Sequence, residues 1–181
     1  ANYNGTDTFT FKANDGTGDS NTSTVTVTVA AVNDLPTTSD VSSSTNEDTA
    51  KAITLTGADD VEGSSLTYSI VSTNNGSVSV SGSTATYTPD TNYNGTDTFT
   101  YKANDGTDDS NTSTVTVTVA AVNDLPTTAD AASSTNEDTA KEITLSATDV
   151  EGSSLTYSIV SDVSNGSTSL SGSTVTYTPT A

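Results

Sequence analysis

The chain has 181 residues, with no Cys, Met, Trp, His or Arg, and four Lys set against 23 acidic residues for a net charge of −19. Without His or Cys there is no imidazole- or thiolate-based zinc site, no Cys nucleophile, no His-centred triad and no disulfide. The acidity argues against nucleic acid and anionic lipid as partners and for cations, with calcium leading where every donor is oxygen.

In chain order, Asn2-Tyr3-Asn4-Gly5-Thr6-Asp7-Thr8-Phe9-Thr10 returns as Asn92-Tyr93-Asn94-Gly95-Thr96-Asp97-Thr98-Phe99-Thr100, an offset of 90 (92 − 2). Ala13-Asn14-Asp15-Gly16 returns as Ala103-Asn104-Asp105-Gly106, and Val32-Asn33-Asp34-Leu35-Pro36 as Val122-Asn123-Asp124-Leu125-Pro126. That period is too long for a solenoid unit and suits a small β-domain. The boundaries implied are residues 1–34, the last two strands of one repeat; 35–124, a complete repeat; and 125–181, the first five strands of a further repeat.

Within the complete repeat, Thr45-Asn46-Glu47-Asp48 reads as a turn or loop before the strand Ala52–Thr56, which puts Ile53 and Leu55 on one face. Ala58 to Ser65 is a loop rich in oxygen ligands. Leu66–Ile70 alternates again. Asn74-Asn75-Gly76 reads as a hairpin turn, because Asn and Gly tolerate positive φ. Val78 and Val80 mark a short strand, and Ser81-Gly82-Ser83 turns into Thr84–Thr88, stopped by Pro89. Phe99, Tyr101 and Ala103 share one side of the next strand. Thr114–Val119 alternates Thr and Val, with Val115, Val117 and Val119 inward. About seven short strands, turn signals between them and no helical period predict an all-β fold. The architecture that fits is a tandem seven-stranded Greek-key β-sandwich of immunoglobulin-like type with a thin core. Low hydrophobicity and high charge would also suit a disordered chain, but strict alternation does not. No apolar run approaches the roughly 20 residues of a membrane helix.

The acids concentrate in loops: Glu47-Asp48, Asp59-Asp60 with Glu62, Asp97, Asp105 with Asp108-Asp109, and Asn123-Asp124. Such residues are ordinary turn formers. Clustered carboxylates without Lys or Arg partners also repel each other unless a cation sits among them. Two further features carry chemistry. Lys12 and Lys102 lie near Asn and Asp, as an isopeptide cross-link requires. Tyr3 and Tyr93 fall outside the inward phase of the other tyrosines, as sugar-binding aromatics or corner-packing residues would.

Ala147-Thr148-Asp149-Val150-Glu151-Gly152 with Leu155-Thr156-Tyr157-Ser158-Ile159 resembles the calcium loop and following strand of cadherin repeats. Ala103-Asn104-Asp105-Gly106 resembles their Ala-x-Asp-x-Gly element, and Val122-Asn123-Asp124-Leu125-Pro126 their inter-domain linker. Taken in order over essentially the whole chain, these motifs resemble the bacterial cadherin-like tandem repeats of very large secreted adhesins. The resemblance implies calcium at the junctions. At the first, Asp7, Asn33 and Asp34 would meet Asp60, Glu62 and Asp105. At the second, Glu47, Asp97, Asn123 and Asp124 would meet Asp149 and Glu151. Asp15 and Glu137 occupy the corresponding ligand positions in the partial repeats. Only Asp7 or Asp97 stands where cadherins carry Leu-Asp-Arg-Glu, so one or two ions per junction are expected rather than three.

The function implied is a non-catalytic, calcium-rigidified extender of an extracellular adhesin or surface filament. A filament subunit assembled by strand complementation and a carbohydrate-binding module are the alternatives. The expected partners are neighbouring repeats of the same protein. Because 1–34 and 125–181 together make one repeat, they are expected to complement each other, along a head-to-tail filament or in a closed homo-oligomer. The third arrangement is a two-period window of a longer polymer, whose targeting segment lies elsewhere.

Overall fold

The computed structural model describes residues 2–56 and 59–180. Gly57 and Ala58, the latter the first residue of the expected ligand loop, lie outside the described residues. Described secondary structure is all β, and it divides into two compact units, residues 1–121 and 122–181.

The first unit opens with β1 (Gly5–Phe11) and β2 (Ser23–Val29), an antiparallel pair that forms its own two-stranded sheet. A seven-stranded sandwich follows: β3 (Val41–Asn46), β4 (Lys51–Thr54), β5 (Thr67–Ser72), β6 (Gly76–Ser81), β7 (Thr84–Pro89), β8 (Gly95–Asn104) and β9 (Ser113–Ala120). One sheet has the order β3-β9-β8-β5 and the other β4-β7-β6. This is the two-layer, non-sequential strand order of an immunoglobulin-like sandwich, with β3 joining the edge of the larger sheet parallel to β9.

The core follows from the period-2 alternation. Val115, Val117 and Val119 of β9, Phe99, Tyr101 and Ala103 of β8, Ala85 and Tyr87 of β7, and Ile53 with Leu55 are buried. Tyr87 and Phe99 stack at a centroid distance of 6.2 Å. Burying a tyrosine requires a partner for its hydroxyl. The Tyr101 hydroxyl donates to Ser39 O (2.6 Å) and Thr56 O (3.1 Å), pinning both segments that flank β3 and β4.

Two expectations are corrected. Asn74-Asn75-Gly76 is not a hairpin turn: β5 and β6 lie in different sheets, so the segment crosses the sandwich edge, where Asn74 Nδ2 donates to Thr98 O at 3.0 Å. The hairpin lies instead at Gly82-Ser83, between Ser81 and Thr84, with Gly82 at φ 59° supplying the positive φ the tight turn needs. Thr45 and Asn46 also belong to a strand, β3, rather than to a turn. Its sequence, Val-Ser-Ser-Ser-Thr-Asn, has one apolar residue, so it lacks the hydrophobic signal of a strand, and ladder bonds to β9 form it.

The second unit contains β10 (Thr127–Thr128) paired with β12 (Ala147–Thr148). Its larger sheet holds β11 (Lys141–Thr144), β14 (Thr174–Pro179) and β13 (Gly166–Ser171), in the order β11-β14-β13. That sheet reproduces β4-β7-β6 pair for pair. The counterparts of β3 and β5, residues 131–136 and 156–161, are not strands.

Candidate metal centres at the linkers

The ligand loop is shaped by its own first acid. Asp60 accepts a hydrogen bond from the Ser64 N–H, and the Gly63 N–H donates to Asp60 O at 3.2 Å. Gly63 has φ 75°, a left-handed conformation that lets the loop double back. This turn carries Glu62 to the linker, where its Oε2 accepts the Asp34 N–H at 3.2 Å. The second unit repeats the arrangement: Ser153 N–H to Asp149 Oδ1 at 2.8 Å, Gly152 N–H to Asp149 O at 3.2 Å, and Asp124 N–H to Glu151 Oε2 at 3.2 Å.

At the first linker the Asn33 amide donates through Nδ2 to Asp105 Oδ2 (2.9 Å) and Asp108 Oδ2 (3.1 Å). Asp105 Oδ1 is already bound by the Thr107 and Asp108 N–H groups, each at 2.7 Å. The Asp108 N–H and then the Asn33 amide hold the Asp105 carboxyl below the usual carboxylate range. Asn2 Nδ2 donates to Asp34 Oδ2. Asn2, Tyr3, Asp34 and Glu62 line a cleft of about 270 Å³. Asp108 and Asn2 were not among the expected ligands. The Asp105-x-x-Asp108 spacing, which returns both acids to one turn, is the signal that would have found the first.

The other expected ligands are placed differently. Asp97 is buried, and its two oxygens accept from the Tyr87 hydroxyl (2.8 Å), the Asn75 N–H (3.1 Å) and the Thr98 N–H (2.7 Å). It closes the sandwich edge instead of facing a linker. Asp7, its counterpart in β1, is exposed and accepts only from the Thr8 N–H among the described residues (2.8 Å). Asp15 sits in a self-contained turn whose Thr17 and Gly18 N–H groups hold its carboxyl low. Glu47 is buried in the turn after β3, and its N–H donates to Ala120 O at 2.9 Å, where β9 ends. Glu137 lies in the corresponding turn of the second unit and is exposed. Asn123 Nδ2 donates to Asp124 O at 2.9 Å.

The donor chemistry at the linkers suits a hard cation, because every available ligand atom is oxygen. Asp60 Oδ1 and Asp124 Oδ2 are buried carboxylate oxygens that accept no hydrogen bond from the described residues, one beside each linker. The closeness of a ligand shell is not there: among the described residues no group of three or more acids converges tightly enough to hold a metal ion. Lys12 lies 4.0 Å from Asp19 in an exposed pair, and the half-buried Lys102 lies 3.8 Å from an exposed Asp109, neither of which is the buried setting of an isopeptide bond. Tyr93 is half-buried against the core and its hydroxyl donates to Thr96 O at 2.9 Å, whereas Tyr3 is exposed.

Three solved structures illustrate what the chain is similar to. Protocadherin gamma B2 extracellular cadherin domains 3–6 matches at a TM-score of 0.45 and 13% identity, over 81% of this chain and 38% of that one. The endo-fucoidan hydrolase MfFcnA4 from glycoside hydrolase family 107 matches at 0.41 and 18%, over 98% and 30%. The S-layer protein SbsC matches at 0.32 and 22%, over 98% and 25%. The chain thus spans between a quarter and about two-fifths of these chains' lengths. No curated protein is significantly similar in sequence. The model of the bacterial Ig domain matches residues 1–28, 33–118 and 123–181, and the chain belongs to that family.

Proposed function

We propose that this chain is a run of non-catalytic extender repeats from an extracellular adhesin or surface filament, stiffened at its linkers by calcium. One observation carries the reading. The same contact, linker Asp N–H to loop Glu carboxylate at 3.2 Å, recurs at Asp34–Glu62 and Asp124–Glu151, each beside a buried carboxylate oxygen that accepts no hydrogen bond from the described residues. A solvated turn has no reason to bury such an oxygen, since its desolvation goes uncompensated. At the first linker the Asn33 NH₂ group stands between two carboxylates, as a partly positive substitute for a cation. Rotation of that amide would turn its oxygen inward beside the carboxylates of Asp105 and Asp108. Asn33, Asp34, Asp60, Glu62, Asp105 and Asp108 would hold the ion at one linker, and Asn123, Asp124, Asp149 and Glu151 would contribute at the other. Bound calcium supplies a shared positive charge that ties each linker to its loop. Short linkers otherwise flex freely.

The test is calorimetry with small-angle scattering on the 181-residue chain, in calcium and in chelator. Calcium at a hundredfold excess over its dissociation constant should stabilise the fold by about 2.7 kcal/mol and lengthen the particle. Asp34→Asn and Asp124→Asn should each weaken the response. An unchanged melt with unchanged scattering overturns the proposal. The mode of the cleft at Tyr3 is tested separately, by glycan binding with Tyr3→Ala as control.

A further inference from the structure

The central sandwich has four edge strands, and three are guarded against pairing with a foreign strand. β3 is bracketed by the acids Asp40 and Asp48, and β4 is short and opens with Lys51. The ladder of β5 is broken between Ile70 and Ser72, which leaves Val71 as an extra residue. β6 has none of these devices. Gly76–Ser81 pairs with β7 without a break, contains no proline and no charge, and has no strand on its other side among the described residues. Its surroundings are neutral too. From Gly63 to Pro89, through β5, β6 and β7, no residue is charged, in a chain with 23 acids.

The hairpin fixes which backbone groups face outward. A two-residue turn makes Ser81 and Thr84 a hydrogen-bonded pair, and by alternation Ser79–Thr86 and Ser77–Thr88 as well. The Asp90 N–H donates to Asn75 O at 3.2 Å, in the same phase. Gly76, Val78 and Val80 therefore aim their N–H and C=O groups away from β7, where no described residue bonds them.

We propose that β6 pairs antiparallel with β6 of a second copy of this chain, joining two three-stranded sheets into one. A line of open backbone groups is satisfied by another extended edge, and an edge with its own guard is a poor fit. Within the sandwich the one unguarded edge is β6 itself. The net charge of −19 selects the same flank: two copies repel wherever their acids face each other, and least where neither has any. A basic protein would instead be drawn to the acidic linkers. Centring the pair on Val78 uses every outward group, with Val78 opposite Val78 and Gly76 opposite Val80 as hydrogen-bonded pairs. A shift by two residues would bring in Gly82, which is in the turn at φ 59°. Val78 and Val80, half-buried against the core, continue it across the seam, and Ser77 and Ser79 lie on the outer face. The pair is two-fold and closed, so it consumes the edge and stops at two copies.

This inference does not rest on calcium. β13 repeats the pattern, with the Thr180 N–H donating to Asn165 O, so light scattering in chelator would use the 181-residue chain with Ser169→Lys guarding that second edge. Mass should rise with concentration to two copies, and association should strengthen as salt screens the like charges. Ser77→Lys with Ser79→Lys, both at exposed positions, sets like charges face to face; it should return the chain to a monomer with unchanged melting. On oxidation, a mixture of Ser77→Cys and Ser79→Cys chains should cross-link, because those positions lie opposite each other at about 4.5 Å between Cα atoms. Ser79→Cys alone, whose thiols are offset by two residues, should not. A monomer at every concentration and salt, growth past two copies, association that weakens with salt or survives the lysine pair, or equal cross-linking by the mixture and by Ser79→Cys alone would each overturn it.

Discussion

The central sandwich and the C-terminal unit begin from nearly the same residues and differ in how many become strands. In the first, Tyr68 and Ile70 turn inward from a paired strand; in the second, Tyr157 and Ile159 stand on an unpaired segment, and Ile159 is exposed. The sheets β4-β7-β6 and β11-β14-β13, by contrast, form alike in both. β6–β7 and β13–β14 are hairpins closed by two-residue turns, so they organise locally. β3 and β5 depend on a hairpin that follows them by dozens of residues, and ordering them alone would cost conformational entropy with no ladder to offset it.

The largest contrast should come from one aromatic position. Phe99→Ala should destabilise the central sandwich by about 3–5 kcal/mol, and Phe9→Ala should change the melting of the dilute chain by less than about 0.5 kcal/mol. Urea titration measures both, and equal losses would break the comparison. Next is the buried acid. Asp97→Ala strands the Asn75 N–H and leaves the Tyr87 hydroxyl only Asn75 O, and should cost about 1–3 kcal/mol, against almost nothing for Asp7→Ala in dilute solution.

A third pair should show no contrast. A methyl added at Gly76 would lie 2.5 Å from Thr88 O, and at Gly166 2.5 Å from Thr178 O. Each Ala substitution should therefore destabilise its own unit by about 1–3 kcal/mol, as hydrogen exchange of β7 and β14 amides would report. Unequal losses would mean that the two smaller sheets are less alike than their registers.

The smallest effects are electrostatic. Burial, and then Asp97, pushes the Tyr87 phenol above its ordinary value. The folded state thus favours the neutral phenol, and its contribution is full below the unfolded value of about 10 and is lost as pH climbs from there through the raised folded value. Alkaline melts of wild type and Tyr87→Phe should diverge in that window. Asp105 runs the other way. Its carboxyl is lowered, so its bonds persist above the ordinary carboxylate range and are lost as pH falls through the folded value. This site is fully exposed, so the change should appear in the Asn33 side-chain amide NMR signals more than in the melt.

Much of the sandwich was legible because Thr-Val alternation is a local signal. β9 and β8 could be read residue by residue. β3 could not, since Val41 is its one apolar side chain, and Asn74-Asn75-Gly76 carries the composition of a hairpin while crossing between sheets. The linker contacts were legible as motifs: Asn33, Asp34, Glu62 and Asp105 meet, although Asn2 and Asp108 join them unannounced. Asp97 was not, because an acid between two threonines looks the same whether it faces water or a buried tyrosine.

The sequence alone determined the 90-residue period, the strand-forming alternation, the acidic linkers and the two hairpins that reappear in each copy. All of these rest on neighbouring residues. Only the tertiary structure decided which of two identical segments is a strand and which of two equivalent acids, Asp7 or Asp97, is buried. Both outcomes depend on partners distant in the chain, and a carboxylate or a backbone amide takes its role from whichever partner the fold brings to it.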